Sequence, residues 1–213
     1  MIVHPIGMMR ANAASGLNFV DDYTTGHADG FILTTDDPTN WSNIAGANRF
    51  TVNSGAVSIG AGGYKTQTIG FVGATVPDDM YFETTLSNAG LLAEGANSNL
   101  DVYLRYVDAD NWCQLQIYSG QIWNVNKKIG GTTSYGIYGG PGPRDATSNG
   151  DIIRIELSGS NITVKLNGTT LRTPVSDAGV GALTGGSVHI VGINLPGLAS
   201  PELKLANIKI GSL

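Results

Sequence analysis

Residues 151–168 read DIIRIELSGSNITVKLNG, two runs in which apolar and polar residues alternate. A period of two is typical of a β-strand with one buried face. Gly159-Ser160 between the runs and Asn167-Gly168 after the second supply the positive φ angles that tight hairpins require. The stretch therefore predicts two antiparallel strands whose first member turns Ile153, Ile155 and Leu157 toward a core.

The same pattern recurs along most of the chain. Strands are predicted at residues 100–107, 112–118, 121–129, 187–194 and 202–210, and earlier at 30–34, 49–52, 56–59, 67–72 and 80–86. No run of ten or more residues shows a helical period, and the Gly/Pro stretch 139–143 is typical of a loop. Many antiparallel strands joined by such turns predict an all-β fold, a sandwich in preference to a barrel.

Composition agrees with this fold class and excludes several functions. The chain has 213 residues with 30 Gly, and charged residues are only 14%, against roughly 25% in an average protein. Its single cysteine, Cys113, forbids an internal disulfide or a multi-cysteine metal site. A net charge of −5 disfavours nucleic acid as a partner. No apolar run approaches the ~18 residues of a membrane-spanning helix, so no membrane partner is predicted.

Residues 1–18 differ from the rest and are predicted to form a short extended N-terminal arm before one domain at 19–213. They lack alternation and contain Met8, Met9 and Arg10. They also lack the basic start and apolar centre of a secretory signal. Two interpretations stay open: a loosely docked terminus, or an assembly arm whose flexible Met side chains fill grooves on a neighbouring subunit.

The order of the sequence signals carries a family resemblance. In chain order they are Asp21-Asp22-Tyr23, Trp41, the hairpin at 104–117, the hairpin at 151–168, Val175-Ser176-Asp177-Ala178 and the closing strand at 205–210. This order resembles the concanavalin A-like, or laminin G-like, jelly-roll sandwich over about residues 20–213. The resemblance implies the fold but not an activity, because lectins, glucanases, adhesive modules and virion appendages share it.

The sequence predicts no enzyme. His4, His27 and His189 are not accompanied by a Gly-x-Ser-x-Gly nucleophile motif. The glucanases that share the implied fold place their carboxyls as Glu-x-Asp-x-x-Glu on one strand, and glycoside hydrolysis needs such a carboxyl pair. No two of the glutamates share a strand at that spacing; they are Glu83, Glu94, Glu156 and Glu202. A divergent glucanase that uses Glu83 is kept as the third hypothesis.

No cofactor is predicted, although the resemblance leaves a structural calcium ion open. Related domains hold calcium with Asp and Asn oxygens, and Asp21, Asp22 and Asp177 would be the converging ligands. Asp108, Asp110 and Asn111 form a second acidic cluster. They lie in a turn between two strands, where Asp and Asn are favoured for local hydrogen bonding.

Alternation also predicts a surface for ligands or partners. Val102, Leu104 and Tyr106 would face the core, which leaves the residues between them outside. If the strands share one sheet, its outer face gathers Tyr103, Arg105, Trp112, Gln114, Gln116, Tyr118, Arg154 and Glu156. Aromatic rings beside amides and guanidinium groups suit sugar stacking, and Tyr, Trp and Arg are also enriched at protein interfaces. A merely solvated face is the third alternative.

The leading hypothesis is a non-enzymatic virion structural protein. A single sandwich, a short arm and the absence of a catalytic set resemble bacteriophage head-decoration and tail proteins. This resemblance implies capsid or tail proteins as partners, self-association, and a virion location after synthesis in the host cytoplasm. The alternative hypothesis is a carbohydrate-binding module that recognises cell-surface glycan.

Overall fold

The computed structural model describes residues 16–45, 50–52, 54–58, 65–87, 98–118, 121–138, 145–194 and 204–213. The predicted assembly-arm residues Met8, Met9 and Arg10 lie outside these ranges. The elements in chain order are β1 (Asn18–Asp22), α1 (Leu33–Asp36), β2 (Trp41–Ala45), β3 (Thr51–Val52), β4 (Val57–Ser58), β5 (Lys65–Phe71), β6 (Met80–Ser87), β7 (Ser98–Asp108), β8 (Asn111–Tyr118), β9 (Gln121–Ile129), β10 (Thr132–Tyr138), β11 (Asp145–Ala146), β12 (Ile152–Ser158), β13 (Asn161–Leu166), β14 (Thr169–Thr170), β15 (Val175–Ser176), α2 (Ala178–Gly181), β16 (Ser187–Asn194) and β17 (Lys204–Ser212).

The strands form two antiparallel sheets that pack as a jelly-roll sandwich, which confirms the predicted fold class. Sheet A has the order β14-β13-β12-β6-β17-β4-β3, with β1 paired to β17 and β15 to β13. Sheet B has the order β10-β9-β8-β7-β16-β5-β2, with β11 paired to β9. The pairing of β1 with β17 runs from Asn18 opposite Gly211 to Asp22 opposite Asn207.

The predicted hairpin at 151–168 is confirmed as β12 and β13, which pair from Ile153 opposite Leu166 to Ser158 opposite Asn161. Ile153, Ile155 and Leu157 are fully buried, as the alternation requires. Sheet B contributes its own inward row of Val102, Leu104, Cys113, Leu115 and Ile117 to the same core. Each such aliphatic side chain contributes roughly 1.5–3 kcal/mol through burial, and these two rows hold the sheets together.

One predicted strand is wrong. Residues 30–34 do not form a strand, because the chain turns into the short helix α1 immediately after Ile32. The Asp36 carboxylate accepts a hydrogen bond from the Ile32 backbone N–H at 2.7 Å, which closes this turn. Both α1 and α2 have four residues. Within the described ranges no helix is long and apolar enough to cross a membrane.

A β-bulge at Arg105 reverses the predicted alternation of β7. The pairing of β7 with β8 shifts register between Leu104 and Asp108, and Arg105 adopts a left-handed φ of 48°. A bulge inserts one extra residue and re-aims the side chains that follow. Arg105 therefore turns inward and is 2% exposed, whereas Tyr106 turns outward and stacks on His189. The predicted sides of Arg105 and Tyr106 are both wrong for this reason.

The buried Arg105 joins sheet B to three other segments. Its guanidinium donates to the carbonyl oxygens of Asp78, Gly159 and Val180 at 2.8, 2.7 and 2.8 Å. Asp78 precedes β6, Gly159 lies in the β12–β13 turn, and Val180 lies in α2. Arg105 is thus a structural clamp at one end of the sandwich, and burial lowers its pKa.

Candidate functional site

The structure divides the predicted ligand face between the two sheets. Tyr103, Trp112, Gln114 and Gln116 lie in β7 and β8 of sheet B, whereas Arg154 and Glu156 lie in β12 of sheet A. The outer faces of two stacked sheets point in opposite directions, so these groups cannot bind one ligand together. The prediction of a single shared face is therefore wrong. Tyr118 ends β8, and its side chain lies outside the described part of the structure.

The outer face of sheet A carries a network of paired charges. Glu156 accepts from Arg154 Nε at 2.7 Å and from Lys165 Nζ at 2.8 Å, and Glu83 accepts from Lys209 Nζ at 2.7 Å. Burial by itself would raise the pKa of Glu156, but the hydrogen bonds from Lys165 and Arg154 outweigh it, and the pKa is lowered. Opposite charges on neighbouring strands stabilise a sheet. Arg154, Glu156 and Glu83 are therefore held by protein partners on this side.

A second outer surface, on sheet B, combines aromatic rings with amides. His189, Tyr103, Gln114 and Asn126 are cross-strand neighbours in one row over β16, β7, β8 and β9. We define the polar–aromatic face by eight residues on this side of sheet B: Asp101, Tyr103, Tyr106, Trp112, Gln114, Gln116, Asn126 and His189. It contains four of the eight residues predicted for a ligand face.

The aromatic rings of this face contact one another. Tyr103 meets Trp112 edge-on with ring centroids 5.1 Å apart, and it meets Tyr106 edge-on at 6.0 Å. Tyr106 stacks on His189 at 4.1 Å. All four side chains are partly exposed. Such edge-to-face pairs are favourable, and they fix the rings while leaving part of their surface open to a ligand.

The amides of this face form a fixed chain of hydrogen bonds. The Gly136 backbone N–H donates to Asn126 Oδ1 at 3.0 Å, and Asn126 Nδ2 donates to Gln114 Oε1 at 2.9 Å. Gln114 Nε2 then donates to the Tyr103 hydroxyl at 3.3 Å. Asn126 is 1% exposed and Gln114 6%. These polar groups are therefore pre-organised by partners rather than free to rotate.

Sequence reasoning missed four members of this face: Asp101, Tyr106, Asn126 and His189. Asp101 could have been found by alternation, because it stands two residues before Tyr103 on the same strand. Asn126 alternates with the buried Val125 and faces away from the core. Tyr106 could not have been assigned, because the bulge that turns it outward has no simple sequence signature.

Burial shifts the titration of two rings in this face. The pKa of Tyr103 is raised to about 12, first by burial and then by the charge of Asp101 and by Tyr106. Burial lowers the pKa of His189. At neutral pH Tyr103 is therefore a neutral hydroxyl and His189 a neutral imidazole. The face offers uncharged hydrogen-bonding groups beside the Asp101 carboxyl.

The lowered pKa of His189 predicts a loss of stability in acid. Its unfolded value is about 6.5, so its contribution to stability is complete above that pH and is lost as the pH falls through the lower folded value. His189 stacks on Tyr106 and lies 3.1 Å from Ser187 Oγ. We expect guanidinium unfolding at pH 7.5 and pH 5 to differ less in His189→Gln than in the wild type. An equal difference in both proteins would contradict this assignment.

The structure does not bring together the predicted calcium ligands. Asp21 accepts from His27 Nε2 at 2.6 Å and Trp41 Nε1 at 3.2 Å, and Asp22 accepts from the Thr24 N–H at 2.9 Å. Asp177 pairs with Lys127 at 2.6 Å and caps α2. Among the described residues no group of three or more His, Cys, Asp or Glu side chains could hold a metal ion. The predicted convergence is wrong, because each carboxylate is used by a nearby donor.

The second acidic cluster is a turn, as its position between two strands indicates. The Asp108 carboxylate accepts from the Asp110 N–H at 2.8 Å and from Asn111 Nδ2 at 2.9 Å. These bonds lower the pKa of Asp108. Its oxygens therefore stabilise the β7–β8 hairpin.

Comparisons with known proteins identify the fold and no family. No family model matches the chain, and no curated protein matches it. A solved structure of the Emp46p carbohydrate recognition domain matches with a TM-score of 0.62 at 9% identity, over 89% of this chain and 94% of that one. The Crh5 transglycosylase in complex with NAG matches with a TM-score of 0.60 at 12% identity, over 93% and 86%.

A native glycosidic hydrolase also matches, with a TM-score of 0.58 at 13% identity, over 91% of this chain and 94% of that one. At these identities the likeness shows the jelly-roll sandwich fold and nothing further. The resemblance stated from the sequence is thus supported at the level of the fold. None of the three is described as a virion protein, so the phage interpretation gains no support from them.

Proposed function

We propose that this protein is a non-enzymatic carbohydrate-binding domain that binds glycan on the polar–aromatic face of sheet B. The observation that carries the proposal is the contact of Trp112 and Tyr103 beside the fixed amides of Gln114 and Asn126. A recognition site combines apolar ring surface with a few polar groups in set positions. Sugars suit such a surface, because one face of a pyranose ring presents C–H groups that pack on an aromatic ring, and its edge carries hydroxyl groups that form hydrogen bonds.

The similar folds support the same choice. The Emp46p domain is described as a carbohydrate recognition domain, and the Crh5 enzyme was solved with NAG. This likeness favours glycan as the ligand class over a capsid or tail protein. The alternative hypothesis of the sequence analysis therefore replaces the leading one.

The carboxyl groups of the described residues favour binding over hydrolysis. Glycoside hydrolysis needs two carboxyls about 5–5.5 Å apart for retention or ~6.5–9.5 Å for inversion. Asp101 is the one carboxyl among the described members of the polar–aromatic face. Glu83, the candidate of the glucanase hypothesis, lies on sheet A and pairs with Lys209. On the polar–aromatic face a bound glycan would meet the partly exposed rings and the Gln116 amide rather than an acid and its partner.

Trp112→Ala is expected to weaken glycan binding by about tenfold, because it removes the ring that contacts Tyr103 and offers an apolar surface to a sugar. The measurement is a glycan array, followed by titration calorimetry with the polysaccharide that binds. Arg154→Ala is the matched control, since it changes the outer face of the opposite sheet. Absence of binding by the wild type would overturn the proposal, as would equal binding by Trp112→Ala.

A further inference from the structure

The hydrogen bonds of the polar–aromatic face run in one direction. A backbone N–H can only donate, so the contact with Gly136 requires Asn126 to present its Oδ1 there. Asn126 Nδ2 must then face Gln114 and donate to its Oε1. This leaves Gln114 Nε2 toward Tyr103, where the phenol oxygen accepts. One main-chain donor thereby fixes the orientation of two amides.

The direction of these hydrogen bonds decides whether the Tyr103 hydroxyl can donate to a ligand. Its oxygen receives the hydrogen of Gln114, so its own proton is left for a different acceptor. The edge-on contacts with Trp112 and Tyr106 hold the ring in place. Burial keeps the hydroxyl protonated, with a pKa of about 12. Tyr103 therefore presents a donor at a fixed position among the rings.

We propose that the Tyr103 hydroxyl is the specificity-determining donor of this face and that it binds an oxygen atom of an uncharged glycan. The inference rests on the proposed function and adds the substrate class and the residue that selects it. Gln114 acts as a positioning residue, because it sets the direction of the Tyr103 proton.

The charges around the face argue against an acidic glycan. Asp101 lies two residues before Tyr103 on the same side of β7, and its negative charge raises the pKa of the Tyr103 hydroxyl, so a carboxylate bound at that hydroxyl would be repelled by the same charge. The two described cationic side chains nearby, Lys128 and Arg105, already have partners within the protein. Lys128, opposite Trp112 in the register, is bound to Asp110 at 2.7 Å, and Arg105 is turned into the core. Desolvating a carboxylate without a cationic partner is costly.

The test compares neutral with acidic polysaccharides. Titration calorimetry with laminarin, xyloglucan and galactomannan represents neutral glycans, and polygalacturonate and alginate represent acidic ones. We expect binding to a neutral member only. Binding to an acidic member would overturn this inference while leaving the proposed function intact. Failure to bind any glycan of a broad array would overturn the proposed function, and the inference with it.

Two variants test the donor itself on the neutral polysaccharide that binds. Tyr103→Phe keeps the ring and removes the hydroxyl, so binding is expected to weaken about tenfold. Gln114→Glu is expected to give the same loss, because a carboxylate can only accept and draws the Tyr103 proton to itself. Asn126 can still donate to the new carboxylate. Circular dichroism melting curves check that both variants fold.

The double variant separates this proposal from two independent contacts. If Gln114 acts only through the Tyr103 proton, Tyr103→Phe with Gln114→Glu should bind no more weakly than either single variant. Additive losses, of about a hundredfold, would overturn the role of Gln114. Wild-type affinity in Tyr103→Phe would overturn the role of Tyr103.

Discussion

Arg105→Met is expected to lower the free energy of unfolding by about 3–5 kcal/mol. The substitution keeps much of the apolar stem but removes the donors to three carbonyl oxygens, those of Asp78, Gly159 and Val180. A buried acceptor left without its partner costs about 1–3 kcal/mol, and some relaxation at the end of the sandwich will reduce the sum. Guanidinium unfolding followed by circular dichroism measures the loss.

Arg105→Lys is the informative companion. A lysine ammonium is a single point and cannot match a planar guanidinium that reaches three separated carbonyls. We expect an intermediate loss, with the largest effect still in Arg105→Met. Arg154→Ala is the surface control and should cost less than about 1 kcal/mol. A loss below 1 kcal/mol in Arg105→Met would show that Arg105 is not a clamp.

Gly186→Ala is expected to be the second most damaging change, at about 3 kcal/mol. A Cβ at this position would lie 2.6 Å from the Arg105 Cα and closer still to its carbonyl carbon. Because these atoms are backbone, no side chain can rotate away, and β7 or β16 must shift. The shift would also disturb the bulge that sends Arg105 inward and Tyr106 outward.

Gly185→Ala is the matched control for this change. Gly185 has a φ of 67°, and a Cβ there would meet nothing within 4 Å. Its cost is the left-handed strain alone, about 1 kcal/mol. Equal losses at the two positions, measured by the same unfolding experiment, would show that backbone crowding at the bulge is not the cause.

Local alternation predicted the sheets well where the ladder is regular. In β12 the buried set Ile153, Ile155 and Leu157 follows directly from the sequence, because each residue pairs without interruption against β6 and β13. It failed at β7, where a non-glycine residue takes a positive φ that is costly for most side chains. Arg105 tolerates that conformation because its buried hydrogen bonds offset the cost.

Alternation also says which side of a strand a residue faces, but not which sheet the strand joins. β12 pairs with β6, about 70 residues earlier in the chain, and this long-range pairing places Arg154 opposite Glu83. Nothing local to residues 152–157 indicates that partner. Half of the polar–aromatic face was predicted, because those residues lie on β7 and β8. These two strands form a hairpin, and its short turn places them side by side in one sheet.

The pairing of the first described strand with the last one determines how the protein responds to mechanical load. Asn18 pairs with Gly211, so the N-terminal end of β1 and the C-terminal end of β17 lie at the same end of this antiparallel pair. Tension applied between residues 17 and 213 would break the β1–β17 hydrogen bonds one after another, since the force acts first on the bonds at the end of the pair. If the two strands were pulled in shear, all of these hydrogen bonds would carry the force together. We therefore expect β1 to separate from β17 at low force, before the hydrogen bonds of Arg105 are strained.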